Sequence, residues 1–141
     1  MNGLKKRLLV QRLIMVGGGI CFALALLHLF LLPNIQRWSL YLPRLPSQVA
    51  GTISIINKGI GLIFLGFGIL SIALGRSFLS GRFEAWNFGF FVGVILLYRA
   101  IAQLLYLGTD WLSIAIFLIL LFTSLLYLIP LLIFYKEFLP H

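Results

Sequence analysis

Residues 111–135, "WLSIAIFLILLFTSLLYLIPLLIFY", carry no charged side chain and are long enough to cross a bilayer as a helix. A transmembrane helix needs roughly 20 mostly apolar residues. Three further stretches meet that requirement, at about 13–32, 50–74 and 86–107. Continuous apolar runs without alternation exclude a transmembrane β-barrel. The sequence therefore predicts an all-α membrane protein with one domain, a bundle of four transmembrane helices.

The composition of the whole chain supports a membrane location. Of the 141 residues, 62% are hydrophobic and 10% are charged, and the mean hydropathy is +1.11. A soluble domain carries about a quarter charged residues, so this chain lacks the polar surface of a soluble globule. The first apolar run is longer than the core of a signal peptide and ends without a small-residue cleavage site. We therefore interpret it as helix 1.

The positive charge of the chain, +8 in total, is spread over loops and helix ends. Because the cations form no single stripe, we exclude a nucleic-acid partner. Their distribution instead fits the positive-inside rule. With the N-terminus inside, that side holds Lys5, Lys6, Arg7, Arg12, Arg76, Arg82 and Lys136, and the other holds Arg37 and Arg44, with Lys58 just inside the next helix. This asymmetry predicts that both termini are cytoplasmic, in a bacterial-type plasma (inner) membrane.

The connection at 33–49 is the one long loop of the sequence. We expect Pro33 to end helix 1, and the prolines of this segment to prevent a continuous helix. Its mixture of aromatic, apolar and arginine side chains suits the headgroup interface, so we expect it to lie on the outer surface as a lid. The residues expected in this lid or interface are Trp38, Tyr41, Arg37 and Arg44. The connection at 75–86 is predicted to be a short, basic cytoplasmic loop, and Asp110 to cap helix 4.

Glycines mark the predicted helix contacts. Gly89 and Gly93 have the GxxxG spacing that lets transmembrane helices approach closely. The simpler interpretation is packing within the chain, and the alternative is a face for a homo-oligomer or a partner membrane subunit. The glycine run at 17–19 predicts a tight packing point or a flexible stretch in helix 1. Pro130 predicts a kink near the end of helix 4.

Arg99 is the polar residue hardest to reconcile with lipid. An arginine near the middle of a transmembrane helix costs about 2.5–3.5 kcal/mol on insertion scales. Its Cα–Cβ bond is predicted to tilt toward the farther membrane surface, so the side chain cannot easily reach water. Gln103 and Tyr106 follow at i+4 and i+7 on the same face. The chain has only three acidic residues, and none is predicted close enough to neutralise Arg99.

Other polar residues are predicted in the same outer half of the bundle. The candidate ligand-binding residues are Arg99, Gln103, Tyr106, Lys58, Asn57 and His28. Structural roles stay open for several of them: Lys58 can extend to the surface, Asn57 can bridge two helices, and His28 can bond a carbonyl group. If Arg99 faces the bundle interior, its missing counter-charge is an anionic ligand, a lipid headgroup or a carboxylate of a partner subunit.

The predicted site favours binding over catalysis. No carboxylate lies within the spans for acid–base chemistry, so no catalytic residue is assigned. His28 and His141 cannot build a metal site on one side of the membrane. We predict a cationic pocket that binds membrane lipid or another anionic or carbonyl-bearing lipophilic ligand, or that docks the protein as an accessory subunit on a larger complex. The alternatives are a membrane enzyme acting on a lipid or quinone, and then a small transporter or oligomeric channel.

Two segments carry a resemblance to a known family. Together with the chain length and the helix count, "LLHLFLLP" at 26–33 and the glycine-rich "NKGIGLIFLGFG" at 57–68 resemble the small four-helix DoxX-like membrane proteins. The resemblance implies an association with quinone or respiratory chemistry, often as an accessory subunit. The cofactor stays open, with a quinone or a bound lipid as the candidates, and the resemblance assigns no role to an individual residue.

Overall fold

The structure, a computed structural model, describes residues 3–107 and 111–137, except for the side chains of residues 106, 107 and 137. This part of the chain is helical and contains no strand. Its long helices are α1 (Gly3–Leu26), α4 (Ser47–Ala73), α6 (Phe83–Leu107) and α7 (Trp111–Ile133), and its short helices are α2 (Leu32–Ile35), α3 (Trp38–Tyr41) and α5 (Gly75–Leu79). The four long segments are long and apolar enough to cross a membrane. The predicted all-α, four-helix membrane fold is confirmed.

The helices pack in an order that differs from their order along the chain. α1 contacts both α4 and α7, and α6 packs on α7. Among the described residues, α4 and α6 have no extensive contact with each other. The bundle is therefore open along one side, between α4 and α6. We call the end with residues 36–46 the connection end, and the end with residues 3–12 and 134–136 the terminus end.

The outer surface of the bundle is apolar, as a lipid environment requires. Large hydrophobic side chains point outward from every long helix, and Ile55, Tyr98 and Trp111 are more than two-thirds exposed. Several polar side chains of the core are hydrogen-bonded to one another; for example, Ser71 Oγ lies 2.5 Å from the hydroxyl of Tyr127. This distribution is the reverse of that in a soluble helical bundle, where the exposed faces are polar.

Glycines set the closest helix contacts. A Cβ atom at Gly18 of α1 would lie 2.7 Å from Ser71 Cβ of α4. Gly89 and Gly93 of α6 are buried against the same chain, and a Cβ at Gly93 would lie 2.7 Å from Leu128 Cγ of α7. The structure therefore uses the GxxxG spacing for packing within the chain, and a second copy would need another surface. In the glycine run of α1, Gly17 and Gly18 form a tight packing point, whereas Gly19 faces open space.

Helix 1 does not end at Pro33 as predicted. It continues through a π-helical turn, Leu27–Leu31, into α2. In this turn the N–H of Leu32 bonds to the carbonyl of Leu27, five residues back. Pro33 is the next residue in that register and has no N–H to donate to the carbonyl of His28. The helix therefore passes the proline, but it leaves one carbonyl group that needs another donor.

The two longer connections contain short helices. In the segment at 36–46, α3 is followed by a 3₁₀ turn, Leu42–Arg44. The segment therefore does not form one continuous helix, which agrees with the prediction from its prolines. The predicted loop at 75–86 is partly helical, because α5 buries Phe78 completely against the core. Gly81 then turns the chain with a φ of 72°. Pro130 lies inside α7, and the predicted cap at Asp110 lies outside the described residues.

Candidate functional site

A buried pair, His28 and Asn57, joins the π-helical turn to α4. The amide nitrogen of Asn57 donates to the carbonyl of His28 at 2.5 Å, and Asn57 Oδ1 lies 2.8 Å from His28 Nδ1. Because Oδ1 can only accept, Nδ1 is the donor in the second bond. Asn57 therefore supplies the hydrogen bond that Pro33 cannot give. The histidine and the asparagine are only 5% and 7% exposed.

Gly61 allows this pair to form. A Cβ atom at Gly61 would lie 2.7 Å from Leu29 Cγ and 3.3 Å from His28 Cβ. The absence of a side chain lets the backbone of α4 lie directly against the π-helical turn. The ring of His28 also contacts the ring of Phe64, with centroids 5.5 Å apart. The histidine is thus fixed by two hydrogen bonds on one side and an aromatic ring on another.

A cavity of about 510 Å³ adjoins this pair. It lies between α4, α6 and the connection end, and we call it the upper cavity. Its polar lining consists of His28, Asn57, Gln36 and Arg99, with the hydroxyl-bearing Tyr41 and the indole of Trp38; its apolar lining is Leu32, Leu42, Leu45, Ile53, Ile56 and Ile60. The cavity is therefore mostly apolar, with one permanent cation.

Arg99 is the cation in the upper cavity. Its side chain is half-buried on α6. Within the described part of the chain, no hydrogen bond or ion pair holds its guanidinium group. Glu84 begins α6 and lies roughly 22 Å along the helix axis from Arg99, and the positions of the Asp110 and Glu137 side chains are not described. A charge in low-dielectric surroundings without a counter-charge is unfavourable, so this position suits an anion.

A second space, which we call the lower cavity, continues the gap between α4 and α6 toward the terminus end. It measures about 200 Å³. Its walls are Ile60, Ile63, Phe64, Phe67, Ile95, Tyr98 and Arg99. Ile60 and Arg99 belong to both cavities, so the arginine lies where the two adjoin. Apart from Arg99 and the tyrosine hydroxyl, the lower cavity offers only hydrocarbon surface.

The connection segment covers the upper cavity. Trp38 and Tyr41 line it from above, and the indole nitrogen of Trp38 donates to Gln36 Oε1 at 2.7 Å. Arg37 and Arg44 are exposed and do not line this cavity. Arg37 adopts a left-handed conformation, with a φ of 51°, which is strained for a residue with a side chain. Both aromatic side chains therefore line the upper cavity, and their role as a lid stays a prediction.

The predicted site residues are only partly brought together. His28, Asn57 and Arg99 share the upper cavity. Lys58 is exposed and does not line the upper cavity, but lines an adjoining cavity of about 280 Å³ that shares Trp38, Leu42 and Asn57 with it. Gln103 is 3% exposed, does not line a described cavity with Arg99, and has no donor for its Oε1 among the described residues. The side chain of Tyr106 lies outside the described residues.

Gln36 and Ile60 are cavity residues that the sequence analysis did not single out. Gln36 lies in a segment expected at the interface, where polar residues are common. Its sequence context therefore did not indicate that its side chain would line a cavity. Ile60 is one of many isoleucines in an apolar helix. Among the residues that the structure describes, no three His, Cys, Asp or Glu side chains gather as a metal site. The arrangement can hold an anion in apolar surroundings.

The remaining polar cluster of the core lies away from these cavities. Ser71 and Tyr127 bond to each other, and the Ser124 hydroxyl donates to the carbonyl of Gly93 at 2.8 Å. These side chains are fully buried and satisfied, so they fix helix packing.

Comparison with known proteins gives no relative to guide the assignment: no protein-family model, no curated protein and no solved structure matches the chain.

Proposed function

We propose that this protein binds a lipophilic ligand with an anionic or carbonyl group in the upper cavity. One observation carries the proposal: the guanidinium of Arg99 lines a mostly apolar cavity and has no counter-charge among the described residues. Placing a bare cation in the membrane is costly. A bound anion would remove most of that cost, because its attraction to the guanidinium is strong where water is scarce.

The open side of the bundle gives this ligand a route. Since α4 and α6 lack extensive contact, the two cavities lie along a gap that faces the surrounding lipid. A molecule dissolved in the bilayer can reach Arg99 sideways without crossing water. This geometry favours a membrane-borne ligand over a water-soluble one, and the exposed apolar side chains beside the gap, such as Tyr98, leave that route in contact with lipid.

We further propose that both termini are cytoplasmic and that the protein lies in a bacterial-type inner membrane. The seven cations predicted inside belong to the terminus end, and Arg37 and Arg44 to the connection end. The upper cavity then lies in the outer half of the membrane. The resemblance to DoxX-like proteins adds a quinone as one carbonyl-bearing candidate ligand. It also adds a role as an accessory subunit, in which a carboxylate of the partner subunit would bind Arg99.

Native mass spectrometry of the protein extracted from its own membrane tests the proposal. The variant is Arg99→Leu, and the matched control is Arg76→Leu, which makes the same substitution at an exposed arginine of α5 that lines neither cavity. We expect wild type and Arg76→Leu to carry a defined additional mass that Arg99→Leu lacks. The identity of that mass separates a small ligand from a lipid and from a partner subunit.

The proposal fails if wild type and Arg99→Leu carry the same additional masses in the same proportion. Size-exclusion profiles and helical circular dichroism must match between the variants, so that loss of the mass is not loss of the fold. If Arg99→Leu does not fold, Arg99→Lys is the second variant. It keeps the charge but loses the planar pair of N–H donors, so we expect it to retain the ligand with lower occupancy.

A further inference from the structure

We infer that the ligand of the upper cavity is a single-chain carboxylic acid, bound with its carboxylate on Arg99 and its hydrocarbon chain in the lower cavity. The inference rests on the proposed function and narrows its ligand class. It comes from the hydrogen-bond donors that remain free in the site, from the net charge of the site, and from the shape of the gap between α4 and α6.

The upper cavity has several uncharged donors, and internal bonds occupy some of them, while the amide of Gln36 and the hydroxyl of Tyr41 are further uncharged donors. Asn57 gives one amide hydrogen to the carbonyl of His28, and His28 gives its Nδ1 hydrogen back to Asn57. Trp38 gives its indole hydrogen to Gln36. The guanidinium of Arg99 is then the one charged donor in the upper cavity. Its parallel N–H groups match the two oxygens of a carboxylate in a planar, bidentate pair.

The charge of the site also favours a carboxylate. Arg99 is the one permanent cation that lines the upper cavity, whereas Lys58 lines an adjoining cavity. A single carboxylate neutralises the charge of Arg99. A neutral carbonyl group accepts hydrogen bonds but leaves the cation uncompensated, and a doubly charged phosphate monoester leaves a negative charge in hydrocarbon.

The shape of the gap indicates one chain. Arg99 lies where the upper cavity meets the narrow lower cavity, whose volume is about 200 Å³. The walls of the lower cavity are aliphatic and aromatic, from Ile63 and Phe67 on α4 to Ile95 on α6. Above Arg99, Trp38 and Tyr41 cover the site. A phospholipid would have to place its headgroup under this cover and a second chain outside the gap, whereas a fatty acid needs neither.

Quenching of tryptophan fluorescence by a brominated fatty acid tests the inference. The acid and its methyl ester, which has the same chain without the charge, are titrated into the protein in nanodiscs. Trp38 lines the upper cavity, and Trp38→Phe identifies its share of the signal. We expect saturable quenching by the acid and at least roughly 10-fold weaker binding of the ester, because a charge-assisted pair is lost.

Variants assign the effect to Arg99. In Arg99→Leu the acid should bind no better than the ester, while Arg76→Leu, the same substitution at an exposed position of α5, should bind the acid as wild type does. Ile95→Trp fills part of the lower cavity, so it should weaken a long-chain acid more than octanoate. The ester comparison uses the wild-type protein alone and therefore holds even if a variant misfolds.

The outcomes separate this inference from the proposed function. Equal affinities for acid and ester, or acid binding that Arg99→Leu does not weaken, overturn the carboxylate assignment. If the extracted protein carries an Arg99-dependent quinone, phospholipid or partner subunit that the acid does not displace, the carboxylate assignment is wrong and the role of Arg99 in binding stands. If neither experiment finds anything that depends on Arg99, both proposals fall.

Discussion

Replacing Asn57 by leucine tests the link between Pro33, the π-helical turn and the site. The change keeps the number and branching of the side-chain heavy atoms but removes both hydrogen bonds to His28, at 2.5 Å and 2.8 Å. Hydrogen bonds between transmembrane helices contribute about 0.6 kcal/mol on average and up to about 1.7. The His28 carbonyl then loses its donor, because Pro33 has none, and a buried unsatisfied group costs about 1–3 kcal/mol.

We therefore expect Asn57→Leu to lower the free energy of unfolding by about 2–3 kcal/mol, or at least roughly 30-fold in the unfolding equilibrium. The measurement is reversible unfolding of the protein in mixed micelles by increasing SDS. Ser54→Ala is the matched control on the same helix, because its hydroxyl bonds only to the carbonyl of Ala50, at 3.0 Å. Ser54 is half-buried and its bond stays within one turn of the helix, so we expect the change to stay within about 0.5 kcal/mol. A loss for Asn57→Leu as small as the control would refute the reasoning.

Two further predictions concern packing and orientation. Gly18→Ala should destabilise the bundle by about 1–3 kcal/mol, because its Cβ would lie 2.7 Å from a side chain of α4; its neighbour Gly19 has open space, so Gly19→Ala should be neutral or slightly stabilising in the same SDS titration. For orientation, the buried Cys21 is first replaced by alanine, and single cysteines are placed at the exposed Ser39 and Lys136. An impermeant maleimide added to intact cells should label the cysteine at 39 and leave the one at 136 unlabelled, and the opposite pattern would reverse the proposed topology.

The four spans were predictable because bilayer thickness and hydropathy decide them locally. The end of helix 1 near Pro33 was not predictable. The helix continues past Pro33 because Asn57, on another helix, donates a hydrogen bond to the carbonyl of His28, and residue spacing does not reveal that contact. The same limit applies to α5, whose short helix is held by burial of Phe78. Tertiary packing, and not local sequence, decides each of these details.

The candidate site was predictable in its central cation but not in its full membership. The length and apolar composition of the predicted span at 86–107 were enough to indicate that Arg99 needs a partner. Gln103 follows at i+4, which places it about 40° further round the helix. In a bundle that is open on one side, this angle is enough to separate Arg99 at the gap from Gln103 in the buried interior. Which helices border a gap depends on their packing order, and composition and spacing do not encode that order.

The π-helical turn also bears on how this gene tolerates changes in length. A π turn is an α-helix with one residue added. Deleting one codon within Leu27–Leu31 would restore regular α-helical bonding and rotate α1 by about 100° relative to α2. The glycines that α1 presents to its neighbours would then face elsewhere, and His28 would leave Asn57. The one additional residue thus determines which face α1 presents to α4 and α7. We therefore expect a single-codon deletion here to destabilise the fold far more than most substitutions do.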